Sequence, residues 1–200
     1  YTYPGDDSPA TDGVRLSVAP GEVVALSGTS GGGKSTALAM AMGFITPESG
    51  RVLIGGLDLR EIDAASWRAR TAWVAQEPGL IDGTVGDNVR LGHPTADAAA
   101  VAAALAEAGA DFQADKHVGD DGEGLSAGER RRVALARALV RIRLGGARFL
   151  ILDEPTAGLD ADTEAHVIDA VRATGAGVLV VSHRPAVLAA ADRVVEVVPA

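Results

Sequence analysis

Gly28-Thr29-Ser30-Gly31-Gly32-Gly33-Lys34-Ser35-Thr36 follows the apolar run Val23 to Ser27 and opens a helix-like segment, Lys34 to Met42. Glycines let the backbone curl until successive N–H groups point at phosphate oxygens, and a helix beginning at Lys34 adds the partial positive charge of its N-terminus. The lysine reaches the β- and γ-phosphates of a nucleotide, and the hydroxyl after it suits Mg²⁺. A flexible glycine linker has no need of Lys-Ser-Thr in that register. Strand, loop and helix read together as a Walker A loop, with residues Gly28 to Thr36 as nucleotide contacts and Ser35 as a metal ligand.

A nucleotide carrying Mg²⁺ needs a carboxylate anchor, and the apolar run Phe149-Leu150-Ile151-Leu152 ends in Asp153-Glu154. That is the Walker B pattern, with Asp153 toward the metal and Glu154 as general base for the attacking water. Further apolar runs lie at Glu22 to Ser27, Thr71 to Ala75, Arg148 to Leu152 and Gly177 to Val181, each read as a buried strand. Helix-length segments separate them: Lys34 to Met42, Ala96 to Ala108, Ser126 to Arg143 and Asp160 to Ala173. Strands alternating with helices predict an α/β fold, a mostly parallel sheet flanked by helices. Val14 to Val18 and Arg51 to Ile54 suggest a small N-terminal antiparallel β subdomain. The stretch from about residue 83 to 143 suggests a helical subdomain within a single 200-residue domain.

Composition narrows the function. The chain is 47% hydrophobic with 4% aromatic residues, so its core is built from Ala, Val, Leu and Ile. Eighteen basic against 27 acidic side chains give a net charge of −9, which argues against a nucleic-acid partner. The absence of cysteine removes disulfides, thiolate metal sites and thiol nucleophiles. No run of about 18 apolar residues is present to span a membrane. The chain begins inside what reads as a strand, as a domain separated from a longer protein would.

Leu125-Ser126-Ala127-Gly128-Glu129, heading a helical segment, resembles the signature motif of the ABC family, usually written LSGGQ. The resemblance extends over nearly the whole chain. Gln76 matches the Q-loop glutamine, which senses Mg²⁺; Ala157-Gly158-Leu159-Asp160 matches the D-loop; His183 matches the switch histidine that holds the γ-phosphate; and Tyr3 stands where the family stacks an aromatic ring on adenine. It implies a P-loop NTPase fold, ATP and Mg²⁺ as ligands, and a catalytic set of Glu154, His183, Lys34 and Gln76. It further implies metal contacts from Ser35, Gln76 and Asp153. Ser126, Gly128 and Asp160 would contact nucleotide bound on a second cassette, met head to tail.

Two departures bear on the signature. Ala127 replaces a glycine, which a methyl group tolerates where the backbone is not left-handed, and Glu129 replaces glutamine, adding a negative charge that Arg130, Arg131 or Arg132 could offset.

The segment Gln76 to Val89, with Gly83-Thr84-Val85 and Asn88, is similar to exporter cassettes, and His117-Val118-Gly119-Asp120 is similar to their X-loop. The implied partners are a second cassette and a fused transmembrane domain, at the cytoplasmic face of the cell membrane. Trp73 to Gln76, Asn88 to Gly92 and Leu125 to Arg132 together resemble subunits of the heterodimeric thiol exporter needed for cytochrome bd assembly, implying cysteine or glutathione as cargo. Two alternatives remain at this stage: a regulatory cassette with weak turnover in a heterodimer, and an ABC ATPase of DNA repair or chromosome structure.

Overall fold

The computed structural model describes residues 1–198. Its centre is a five-stranded sheet in the order β4-β7-β8-β1-β9, formed by Thr71–Val74, Phe149–Asp153, Gly177–Val181, Val23–Ser27 and Arg193–Glu196. Every pairing in it is parallel. Parallel strands need crossover connections, and those put helices on both faces. The parallel sheet flanked by helices is what the alternation of strands and helices predicts, and it agrees with the P-loop NTPase fold that the resemblance implies.

Side-chain alternation divides the core in two. Val24 and Leu26 of β1, Ile151 of β7 and Leu179 and Val181 of β8 face α1 (Lys34–Ala41), where Ala37 and Leu38 complete the cluster. Val23 and Ala25, Leu150 and Leu152, and Val178 and Val180 face the opposite side, which holds α5 (Ala127–Arg143) and α6 (Ala161–Ala173). A strand buried on both faces reads as a continuous apolar run, which is why these three are visible in the sequence.

α5 packs against β4, against α3 (Val85–Arg90) and against α4 (Ala98–Glu107). Leu135, Leu139 and Val133 of α5 are almost wholly buried. Asp97 caps α4, accepting from the Ala100 amide at 2.8 Å, and Thr84 with Asp87 forms a capping box on α3. The short helices α2 (Ala64–Ala69) and α7 (Pro185–Ala190) complete the flanks. Among the described residues no helix is long and apolar enough to cross a membrane.

The antiparallel part of the prediction needs correction. Residues 14–18 form no ladder. Val14 and Val18 instead pack on the α1-side core, and the Ser17 carbonyl is taken by the Arg193 guanidinium. Only the end of Arg51 to Ile54 is a strand: β2 (Leu53–Ile54) pairs with β3 (Leu57–Asp58) across Gly55-Gly56, both at positive φ as a two-residue hairpin requires. The segment around Tyr3 is likewise a set of turns and not a strand. Within the helical stretch, β5 (Gly83–Thr84) pairs with β6 (His117–Val118). The edge strand β9 went unpredicted because Arg193-Val194-Val195-Glu196 is largely exposed and forms no long apolar run.

Leu139→Ala, at a position with no exposed surface, should lower unfolding stability by about 2–5 kcal/mol in urea titration, with the spectrum of the folded state kept.

Candidate functional site

The carboxyl ends of β1, β7 and β8 lie side by side. Leu26 and Asp153 both stand in register with Val181, so the residues that follow, Gly28, Glu154 and His183, meet at one rim. Two backbone bonds fix the junction: the Glu154 amide donates to the Val181 carbonyl at 3.0 Å and the Ser182 amide to the Leu26 carbonyl at 3.3 Å. Between them opens a cleft of about 490 Å³, lined by most of the Gly28 to Thr36 loop and by Gln76, Asp153, Glu154 and His183.

The loop is shaped by glycines that admit no side chain. Gly33 caps α1 from the left-handed region at φ 86°, and a Cβ there would lie 2.3 Å from the Ala10 carbonyl oxygen. At Gly28, φ 139°, a Cβ would lie 2.1 Å from the Val197 carbonyl oxygen. No side chain caps the α1 N-terminus, and the Ala37 amide bonds to the Gly33 carbonyl at 2.9 Å. The amides ahead of Ala37 therefore have no intrahelical acceptor and suit an anion.

Lys34 arches over the loop, its Nζ donating to the carbonyls of Gly28 at 2.8 Å and Thr29 at 2.6 Å. Gly32 is buried within the curl, its amide on the Thr29 carbonyl at 3.1 Å. Tyr3 is placed beside the cleft: its hydroxyl lies 3.4 Å from Thr36 Oγ1, and its ring meets Tyr1 edge-on at 5.0 Å.

Two carboxylates share the far wall. Burial pushes the Asp153 carboxyl above its ordinary range and the Glu154 charge pushes it further, against Lys34 and the Ser35 hydroxyl, which pull it down. Glu154 sits at φ 50°, a conformation few non-glycine residues adopt, and its Oε1 lies 2.8 Å from His183 Nδ1. Its buried Oε2 has no partner among the described residues.

A Mg²⁺ ion fits this donor set. Among the described residues no three His, Asp or Glu side chains converge into an all-protein cage. Mg²⁺ bound through phosphates and water needs only one carboxylate and a hydroxyl, here Asp153 and Ser35, with Gln76 at the cleft edge. A cation beside Asp153 also favours the charged form that burial disfavours.

Ser126, Gly128 and Asp160 do not line the cleft. Ser126 caps α5 in a box with Glu129, whose Oε2 accepts from the Ser126 amide at 2.8 Å. Lys116 joins Glu129 at 3.0 Å, and these bonds hold the Glu129 carboxyl down to about 2. The counter-charge is therefore Lys116, while Arg130 and Arg131 donate to the carbonyls of Leu125 and Gln76. Ala127 is the first helical residue of α5, where a methyl group meets no left-handed backbone. Asp160 caps α6, accepting from the Thr163 amide at 3.0 Å. Ala10, which lines the cleft and covers Gly33, is a site residue that sequence reasoning missed, and nothing in its type signals it.

Comparison with known proteins places this geometry. Residues 11–157 match the family model described as ABC transporter. The chain is 41% identical over 202 residues to the mycobactin import ATP-binding/permease protein IrtB of Mycolicibacterium smegmatis, covering 96% of the chain and 34% of that protein. It is 36% identical over 204 residues to the ATP-dependent lipid A-core flippase of Thiobacillus denitrificans, covering 97% and 34%. A solved bacterial Atm1-family ABC exporter with ATP bound superposes with a TM-score of 0.85 at 35% identity, over 94% of the chain and 34% of the exporter. The chain thus spans about a third of the length of these relatives.

Because the folded state raises the Asp153 pKa, its ionisation costs stability at neutral pH and costs nothing where the carboxyl is protonated in both states. Asp153→Asn should therefore raise the melting temperature of the nucleotide-free chain at neutral pH, and the gain should shrink as pH falls into the carboxylate range. A lowered melting temperature at neutral pH would contradict this.

Proposed function

The chain belongs to the ABC transporter family and carries its P-loop ATPase fold, and on that premise we propose that it binds and hydrolyses ATP to drive an exporter-type transporter. The observation that carries the proposal is the His183–Glu154 pair set opposite Lys34 and beside Asp153 in one cleft. The loop amides and Lys34 bind the triphosphate, and Tyr3 lies beside the Thr36 end of the loop, where its ring would meet the base. Bound Mg²⁺, held by Ser35 and Asp153 with Gln76 beside them, supplies charge neutralisation on the phosphates. Glu154, which lines the cleft, orients a water and takes its proton as the water adds to the γ-phosphorus. The bond to the leaving ADP oxygen breaks, and His183, its Nδ1 engaged by Glu154, turns Nε2 toward the γ-phosphate.

The site residues that stand away from the cleft fit a shared site. Ser126, Gly128 and Asp160 would meet nucleotide on a second cassette, with the α5 N-terminus offering its amides and partial positive charge. The helices from about residue 83 to 143 form, in this reading, a subdomain that carries the signature. The Q-loop and the segment to Asn88 would face a transmembrane domain in the same protein, at the cytoplasmic face of the membrane. Support for a fused membrane domain is that the IrtB relative is named an ATP-binding/permease protein.

Cargo is a separate question. The sequence likeness around Trp73, Asn88 and Leu125 to Arg132 supports a thiol such as cysteine or glutathione, while the relatives are named for mycobactin import and for lipid A-core flipping. The mycobactin name also separates cassette type from the direction in which cargo moves.

Glu154→Gln should lower ATP turnover by at least about a hundredfold while leaving ATP binding intact. In size-exclusion chromatography that variant should dimerise only with ATP, and Ser126→Arg added to it should abolish the dimer. Undiminished turnover would remove Glu154 from its role, and a monomer that still binds ATP would point to a different second cassette.

A further inference from the structure

Behind the His183–Glu154 pair lies an ionic group that the proposed chemistry leaves unused. Glu164, in the first turn of α6, is 4% exposed. A carboxylate buried to that depth is strongly destabilising unless paired. Its partner is Arg184, whose Nε forms an ion pair with Oε1 and whose Nη2 donates a hydrogen bond to Oε2 at 3.1 Å. The same Nη2 donates to the Leu159 carbonyl at 3.0 Å.

The bond to Leu159 ties two functional segments together. Leu159 belongs to the Ala157 to Asp160 turn, which ends where Asp160 caps α6. Arg184 directly follows His183, and its amide donates to the buried Ser182 hydroxyl at 3.1 Å. The backbone carrying His183 is therefore held on one side by Ser182 against β1, and on the other by an arginine anchored in the turn. A buried ion pair serving only to fill the core needs no bond to Leu159, and apolar residues of similar volume would replace it at little cost.

We propose that Arg184 is a positioning residue, holding the Ala157 to Asp160 turn and the His183–Glu154 pair in one register through Leu159 and Glu164. The position of the turn then sets the position of the His183 ring. This rests on the ATPase reading above.

The test is the double variant Glu164→Leu/Arg184→Met, which removes both charges and keeps most of the volume. The expected result is a melting temperature equal to or above that of the parent chain and binding of a fluorescent ATP analogue unchanged. The kcat should be lower by about tenfold or more, since a small misplacement of a reacting group costs that much. Arg184→Lys, which keeps the charge but not the planar fork of donors, should lower kcat with KM unchanged, and it carries the same readouts should the double variant not fold. The His183 ring signals in nucleotide-free NMR spectra, identified with His183→Gln, should move in both variants. Turnover that returns together with stability in the double variant, or His183 signals that stay in place, would overturn the proposal. A parent chain that bound no ATP would refute the ATPase reading instead, and the NMR comparison, which needs no nucleotide, would still decide the role of Arg184.

Discussion

All five strands of the main sheet run in one direction, so their carboxyl ends and the loops leaving them share one rim. Everything chemical in the molecule depends on that constraint. The loop after β1, the acid pair ending β7 and the histidine following β8 are about 120 residues or more apart from first to second and a further 30 to the third in sequence. They become neighbours because Leu26, Val181 and Asp153 are fixed in register by ladder hydrogen bonds. A slip of one residue in either pairing would turn the buried side chains to the wrong face of the sheet, so the packing that stabilises the core also fixes the site.

The same physics decides what could be read in the sequence. β1, β7 and β8 are buried on both faces and appear as apolar runs, and the residues at their ends are of chemically distinctive types. β9 is half-exposed at the sheet edge, and β2 and β3 are two-residue strands whose pairing depends on the turn at Gly55-Gly56. Such elements are set by their neighbours and leave little pattern. Residues 1–11 are the extreme case: the Tyr1 amino group donates to the Thr11 carbonyl at 3.0 Å, and the loop so closed lies against Gly33. The strand read at Val14 to Val18 has the right alternation, and its two valines are indeed turned inward, but among the described residues no neighbouring strand completes a ladder.

The departures from the usual signature look different once their surroundings are known. By its charge alone, a glutamate at position 129 would oppose phosphates nearby. In the fold it closes a capping box on Ser126 and pairs with Lys116. The carboxylate satisfies the Ser126 amide, and the ammonium cancels most of its field at a distance, so the α5 N-terminus keeps its positive character. Ala127 gains helix propensity over glycine at a position where glycine's freedom is not needed.

Charge also explains why the cleft suits a metal-bound nucleotide better than a bare one. The chain is net negative, and two of its carboxylates, Asp153 and Glu154, face the same space as the phosphate loop. Lys34 alone cannot balance these acids and a triphosphate together, and in the protein by itself the Asp153 carboxyl is already pushed up, first by its burial and then by the Glu154 charge. Only Lys34 and the Ser35 hydroxyl act to lower the Asp153 carboxyl. The carboxyl held above its ordinary range is thus the one adjacent to the hydroxyl that the proposed Mg²⁺ would share. A divalent cation there would stabilise the ionised acid and the phosphates at once, which would make nucleotide and metal binding mutually reinforcing.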